Sequence, residues 1–123
     1  MAEDDSFLLD IFSKVLSLEG FELHLAKDGI AAKESLTKMQ TPPSLFLLDI
    51  MMPGLSGFEL FEFIKSEERF KNVPVVFLTN LYSDEDAQKV KEMGAKLYLL
   101  KSNNAPEDVV VKIKNLLKYI KTA

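Results

Sequence analysis

Residues 45–60 read LFLLDIMMPGLSGFEL. The stretch opens on four apolar residues, Leu45 to Leu48, and stops at an acid, Asp49. A short apolar run without polar alternation is the pattern of a parallel strand covered on both faces. MMPGLSG (51–57) follows as a loop, and a helical pattern covers about Phe58 to Glu68. A strand that ends on a carboxylate and passes through a loop into a helix is one unit of an alternating α/β fold.

The rest of the chain repeats that alternation. VPVVFLT (73–79) is a second unbroken apolar run, ending in Thr-Asn, and KLYLL (96–100) is a third, ending at Lys101. FELHLA (21–26) instead alternates, with Phe21, Leu23 and Leu25 on one face, and is expected to be an edge strand. Between the strands lie helical patterns. Residues 6–19 carry Phe7, Ile11, Val15 and Leu18 at three- and four-residue steps, with Ser6 expected as N-cap and Gly20 as the stop. Asp28-Gly29 opens a helix that Pro42 and Pro43 end, and SDEDAQKVKEM (83–93) is a polar helix capped by Ser83 and closed by Gly94. Pro106 begins the last helix. The order α-β-α-β-α-β-α-β-α implies a doubly wound parallel sheet in one domain, residues 1–123.

Composition narrows the function classes. The 123 residues are 47% hydrophobic and 28% charged, an ordinary globular balance. A net charge of −4 argues against direct nucleic-acid binding or attachment to anionic lipid. The chain has no cysteine, which excludes disulfides, thiolate metal sites and cysteine nucleophiles. No apolar run has the length of a membrane span, and a cytoplasmic setting is expected.

In an open α/β sheet, ligands gather beyond the C-terminal strand ends. Asp49, Thr79 and Lys101 stand there, and the acids Glu3, Asp4 and Asp5 would join them if a strand lay just upstream of Glu3. Crowded carboxylates repel one another and are costly to desolvate unless a cation neutralises them. A hard divalent ion with oxygen ligands does so, and Mg²⁺ suits a few carboxylates, water and a phosphate oxygen. Such a set serves phosphoryl transfer, with cations absorbing charge and an ionised carboxylate as nucleophile.

The motifs EDD (3–5), LLDIMMPGLSGFEL (47–60), VPVVFLTN (73–80) and GAKLYLLKS (94–102) together resemble the response-regulator receiver domains of two-component signalling. The resemblance covers essentially the whole chain and implies a flavodoxin-like receiver fold. It implies that Asp49 is the phosphoacceptor, that Glu3, Asp4, Asp49 and the Met51 backbone carbonyl hold Mg²⁺, and that Thr79 and Lys101 hold the phosphoryl group. Thr79 and Tyr98 would form the switch. The implied donor is the phosphohistidine of a histidine kinase or phosphotransfer protein, and the implied readout is binding of a downstream protein target. Such a module is not an enzyme in the usual sense, since it catalyses only its own phosphorylation and slow dephosphorylation.

Two departures stand out. Ser102 follows Lys101 where the family commonly has a proline after a cis bond, so the 102–104 loop is expected to take another path. The family also has a buried central strand before its acidic pair, of which this chain shows at most two residues. About five apolar residues at roughly 1.5–3 kcal/mol each would be a loss comparable to a domain's whole stability. The expectations are a truncated or altered start, with a homodimer through strand exchange or a repacked sheet as its consequence. The rival function is a phosphorylation-independent dimerisation or docking module. A metal-dependent phosphatase is weaker, because Met51 stands where such enzymes often carry a second acid.

Overall fold

The computed structural model describes residues 1–80 and 82–122. From α2 onward the expected alternation is present: α1 (Ser6–Leu18), α2 (Gly29–Lys38), β1 (Phe46–Leu48), α3 (Gly57–Ser66), β2 (Val75–Thr79), α4 (Asp84–Glu92), β3 (Leu97–Leu100) and α5 (Pro106–Thr122). A 3₁₀ turn, Lys101–Asn103, joins β3 to α5. The strands form one parallel sheet in the order β1-β2-β3. Every residue of β1 and β2 is buried, as unbroken apolar runs require of strands covered on both sides.

Strand parity divides the core into two layers. Phe46, Leu48, Val75 and Phe77 pack with Leu36 of α2, Leu60, Phe61 and Ile64 of α3 and Val90 of α4. Leu47, Val76 and Leu78 face the other way, against Phe12 and Leu16 of α1 and Val109, Val110 and Ile113 of α5. Aromatic contacts knit the first layer: the Phe61 and Phe77 rings meet edge-on at 5.3 Å, and Phe46 meets Phe70 at 5.8 Å.

The helix starts follow local chemistry. Ser56 and Glu59 make a reciprocal capping box on α3, and the Ser83 hydroxyl accepts from the Asp86 N–H at the start of α4. The cap of α1 is Asp5 rather than the expected Ser6. Its carboxylate accepts from the Phe7 and Leu8 N–H groups at 3.0 and 3.2 Å, and Ser6 becomes the first helical residue. Gly20, with φ +87°, follows α1 in the left-handed conformation expected of a stop.

The expected strand at 21–26 is not formed. Only Ala26 pairs, through a parallel bridge to Ala2, and Ala2 bridges in parallel to Leu48 on its other side. Met1 and Ala2 therefore lie between 21–26 and β1, where a central strand would run. Alternating side chains at 21–25 mark two faces, but a strand also needs a backbone neighbour along its length.

Candidate functional site

The polar residues that end the apolar runs come together at the C-terminal edge of the sheet. Asp49 directly follows β1, and its N–H donates to the Ala2 carbonyl at 3.0 Å, which brings Glu3 and Asp4 beside it. Glu3 is almost fully buried, at 1% exposure, while Asp4 is exposed. Carboxylate oxygens of Glu3, Asp4 and Asp49 all lie within 4.8 Å of one another. Thr79 ends β2, is buried, and pairs in register with Leu100, so Lys101 leaves the neighbouring strand at the same level.

Lys101 closes the charge balance. Its Nζ lies 2.7 Å from Glu3 Oε1 and 3.4 Å from Asp49 Oδ2, with both carboxylate side chains nearly inaccessible. Burial, reinforced by the Glu3 charge and opposed by Lys101, pushes the Asp49 carboxyl up to about 7. Three carboxylates clustered around one ammonium fit a hard divalent cation, which takes oxygen ligands and offsets their mutual repulsion.

The loop after Asp49 is held by a close backbone approach. The Gly57 N–H donates to the Ile50 carbonyl at 2.8 Å, and a Cβ on Gly57 would lie 2.2 Å from the Asp49 carbonyl oxygen. Only glycine fits there, so the LSG turn fixes where the strand end and α3 meet. Met51 follows in the same loop with its side chain largely exposed.

Asp4, Asp49, Met51 and Ser56 line an open cleft of about 700 Å³ that also reaches Phe58, Asn80 and Asp86. Asn80 and Asp86 were not expected at the site. Asn80 was legible as the residue after Thr79, and Asp86 as a first-turn acid of a helix capped at Ser83. The Lys89 ammonium sits over the Phe58 ring at 4.4 Å, fixing one wall of the cleft.

Tyr98 lies in β3 opposite Phe77 in register, and its ring packs at 5.2 Å on that of Tyr82. Its hydroxyl is shielded from solvent, and burial raises the phenol above its ordinary value. Tyr82 is half exposed. At the other departure, the Lys101–Ser102 bond is trans, since no described residue has a cis peptide, and the chain turns in the 3₁₀ segment. Asn104 anchors that turn: its Nδ2 donates to the Leu100 carbonyl at 2.9 Å, and the Lys112 ammonium donates to its Oδ1. His24, in the 21–26 segment, is half exposed and remote from the cleft.

Comparison with known proteins places this geometry. The family model for the response regulator receiver domain matches residues 1–114. The CpxR homolog of Haemophilus influenzae, a transcriptional regulatory protein, is 36% identical over 96% of this chain and 49% of its own. The phosphate regulon regulator PhoB of Escherichia coli is 32% identical over 98% of this chain and 51% of its own. The chain thus spans about half the length of these curated relatives. Among solved structures, a CheY-like receiver domain protein from Methanospirillum hungatei superposes with a TM-score of 0.87 at 26% identity, over 98% of this chain and 93% of that one. The BeF₃-activated receiver domain of Klebsiella pneumoniae RstA gives 0.81 at 29% identity, over 94% of each chain. This chain belongs to the response regulator receiver domain family, the signalling modules of two-component systems.

Proposed function

We propose that Asp49 accepts a phosphoryl group from the phosphohistidine of a histidine kinase or phosphotransfer protein, in a reaction dependent on Mg²⁺. The observation that carries this is the single crevice in which Glu3, Asp4 and Asp49 cluster within 4.8 Å while Lys101 reaches two of them. Glu3, Asp4, Asp49 and the Met51 carbonyl would hold the metal. Once bound, Mg²⁺ supplies positive charge for the phosphoryl oxygens.

The chain's own groups do the remainder. An ionised Asp49 oxygen attacks phosphorus, the P–N bond to the donor imidazole breaks, and an acyl phosphate forms on Asp49. Lys101 then moves its ion pairing toward a phosphoryl oxygen, and the Thr79 hydroxyl donates to another. Hydrolysis of the acyl phosphate returns the carboxylate and inorganic phosphate. Movement of Thr79 toward the phosphoryl group opens space into which Tyr98 turns, away from Tyr82. The face built from α4, β3 and α5 changes shape and binds a downstream protein in the cytoplasm.

A phosphorylation-independent dimerisation or docking module is the second reading. Incubation with acetyl phosphate and Mg²⁺, followed by intact mass, separates the two. A gain of one phosphoryl group that disappears in Asp49→Asn supports phosphotransfer. No gain at any Mg²⁺ concentration would exclude it.

A further inference from the structure

The first turn of α4 carries three acids, Asp84, Glu85 and Asp86, and they are not equivalent. Asp84 and Glu85 are exposed, whereas Asp86 is partly buried and lines the same cleft as Asp49. The Ser83 hydroxyl accepts from the Asp86 N–H at 3.3 Å, which fixes the turn that carries the carboxylate. Asp86 stands outside the group of Glu3, Asp4 and Asp49, whose oxygens lie within 4.8 Å of one another. No ion pair among the described residues engages it: Lys101 pairs with Glu3 and Asp49, and the Lys89 ammonium, one turn along α4, sits over the Phe58 ring. The cleft therefore holds a carboxylate that neither the acidic cluster nor Lys101 uses.

The cleft also has an apolar side. Met51, Met52, Pro53 and Phe58 line it from the loop and helix that follow Asp49, while Asn80 and Asp86 come from the end of β2 and from α4. A flat heteroaromatic ring suits such walls, packed on apolar groups with a ring N–H turned to a carboxylate. Imidazole has that character. When one of its nitrogens carries phosphorus, the other carries the proton that a carboxylate can accept in a hydrogen bond.

We propose that Asp86 is a catalytic residue for the donor side of the transfer: its carboxylate accepts a hydrogen bond from the free ring N–H of the phosphoimidazole and favours the protonated donor. Asp86 acts in this way only if Asp49 is the phosphoacceptor, as proposed above. In-line transfer puts the leaving nitrogen across the phosphorus from the attacking oxygen, away from the strand end that carries Asp49. As the Asp49 oxygen forms its bond to phosphorus, the P–N bonding pair returns to the ring. A ring protonated on its other nitrogen leaves as neutral imidazole, whereas an unprotonated ring would leave as the far more basic imidazolate. A carboxylate beside the N–H holds that proton on the ring. Asp86 itself gains no proton. Acetyl phosphate has no N–H to offer, so Asp86 discriminates between donors by their leaving group.

The test compares monophosphoimidazole with acetyl phosphate on the 123-residue chain in the presence of Mg²⁺, following the mass gain over time. Asp86→Asn keeps the backbone N–H that Ser83 caps and nearly the same shape, and circular dichroism checks that it is folded. The ratio of the imidazole-donor rate to the acetyl phosphate rate is expected to fall about tenfold, less than for a full proton transfer because the carboxylate only holds the proton. Asp86→Glu is expected to restore part of the ratio. Burial raises the Tyr98 phenol and the Asp86 charge adds to the rise, so a role exerted through Tyr98 would change both rates alike. An unchanged ratio in Asp86→Asn, or a ratio no higher in Asp86→Glu, would overturn the proposal while leaving phosphorylation of Asp49 in place. Failure of both donors on the parent chain would overturn the phosphotransfer reading, and the role of Asp86 with it.

Discussion

The Lys101 ammonium and the Glu3 carboxylate meet at 2.7 Å, with Glu3 fully enclosed and only a tenth of the lysine side chain accessible. The pair joins the N-terminus of the chain to the end of β3 across two intervening strand ends. Removing the cation leaves Glu3 and Asp49 buried against each other without compensation. Lys101→Met is therefore expected to destabilise the fold by about 3 kcal/mol in metal-free buffer. Added Mg²⁺ should recover much of that loss, because it supplies the missing positive charge. Urea unfolding with and without Mg²⁺ measures both quantities. A variant as stable as the parent in EDTA would show that the pair contributes little.

Asp49 gives the fold a pH dependence of definite sign. Its carboxyl rises from an ordinary 3.8 to about 7, mainly by burial and then by the Glu3 charge. Between these values the folded protein binds more protons than the unfolded chain, so stability falls as pH rises from about 4 to 7 and levels off above. Tm in EDTA is expected to fall by on the order of 10 °C across that window. Asp49→Asn should flatten the slope. Mg²⁺ binding must displace the proton, so affinity should rise through the same window and level off above pH 7. An identical slope in Asp49→Asn would assign it to other groups.

Much of this site was legible because unbroken apolar runs stop at chemically informative residues. Asp49, Thr79 and Lys101 each end such a run, and a parallel sheet brings those ends to one edge. Asp86 was less legible, since its place in the cleft depends on where α4 starts after β2. The alternation at 21–26 was read as a strand because periodicity reports which faces are apolar. It does not report whether a partner lies alongside, and only Ala26 has one. Ser6 lost the cap to Asp5 by one residue, because a carboxylate there reaches two N–H groups at once.

Gly57 and Gly94 separate steric need from backbone freedom. A Cβ on Gly57 would strike the Asp49 carbonyl oxygen at 2.2 Å and the Ile50 Cα at 2.8 Å, neither of which can move without shifting the strand end. Gly57→Ala is expected to cost about 3 kcal/mol, the upper range for overpacking, and to slow phosphorylation of Asp49. Gly94 has φ +101°, and its Cβ would meet only the flexible end of Lys65 at 3.4 Å. Gly94→Ala should cost about 1 kcal/mol through the backbone alone and leave phosphorylation unchanged. Denaturation midpoints and acetyl phosphate time courses test the contrast. Equal effects at the two positions would argue against a special role for the Gly57 approach.

The bond after Lys101 is trans, and Asn104 holds the backbone on either side of that lysine's turn. The Asn104 amide donates to the Leu100 carbonyl at 2.9 Å and accepts from the Lys112 ammonium, so α5 grips the end of β3 one residue before Lys101. Asn104→Ala frees that carbonyl and removes the acceptor for Lys112. A loss of about 1–2 kcal/mol is expected, as for a buried hydrogen bond with a charged partner. If the grip positions Lys101, the variant should also slow Asp49 phosphorylation while leaving Mg²⁺ affinity nearly unchanged, because the clustered carboxylates Glu3, Asp4 and Asp49 are untouched. Lys112→Met, which keeps the Asn104–Leu100 bond, should lose less of the rate than Asn104→Ala. Phosphorylation at the parent rate in Asn104→Ala, measured where the variant is fully folded, would place the aim of Lys101 in its ion pairs with Glu3 and Asp49 instead.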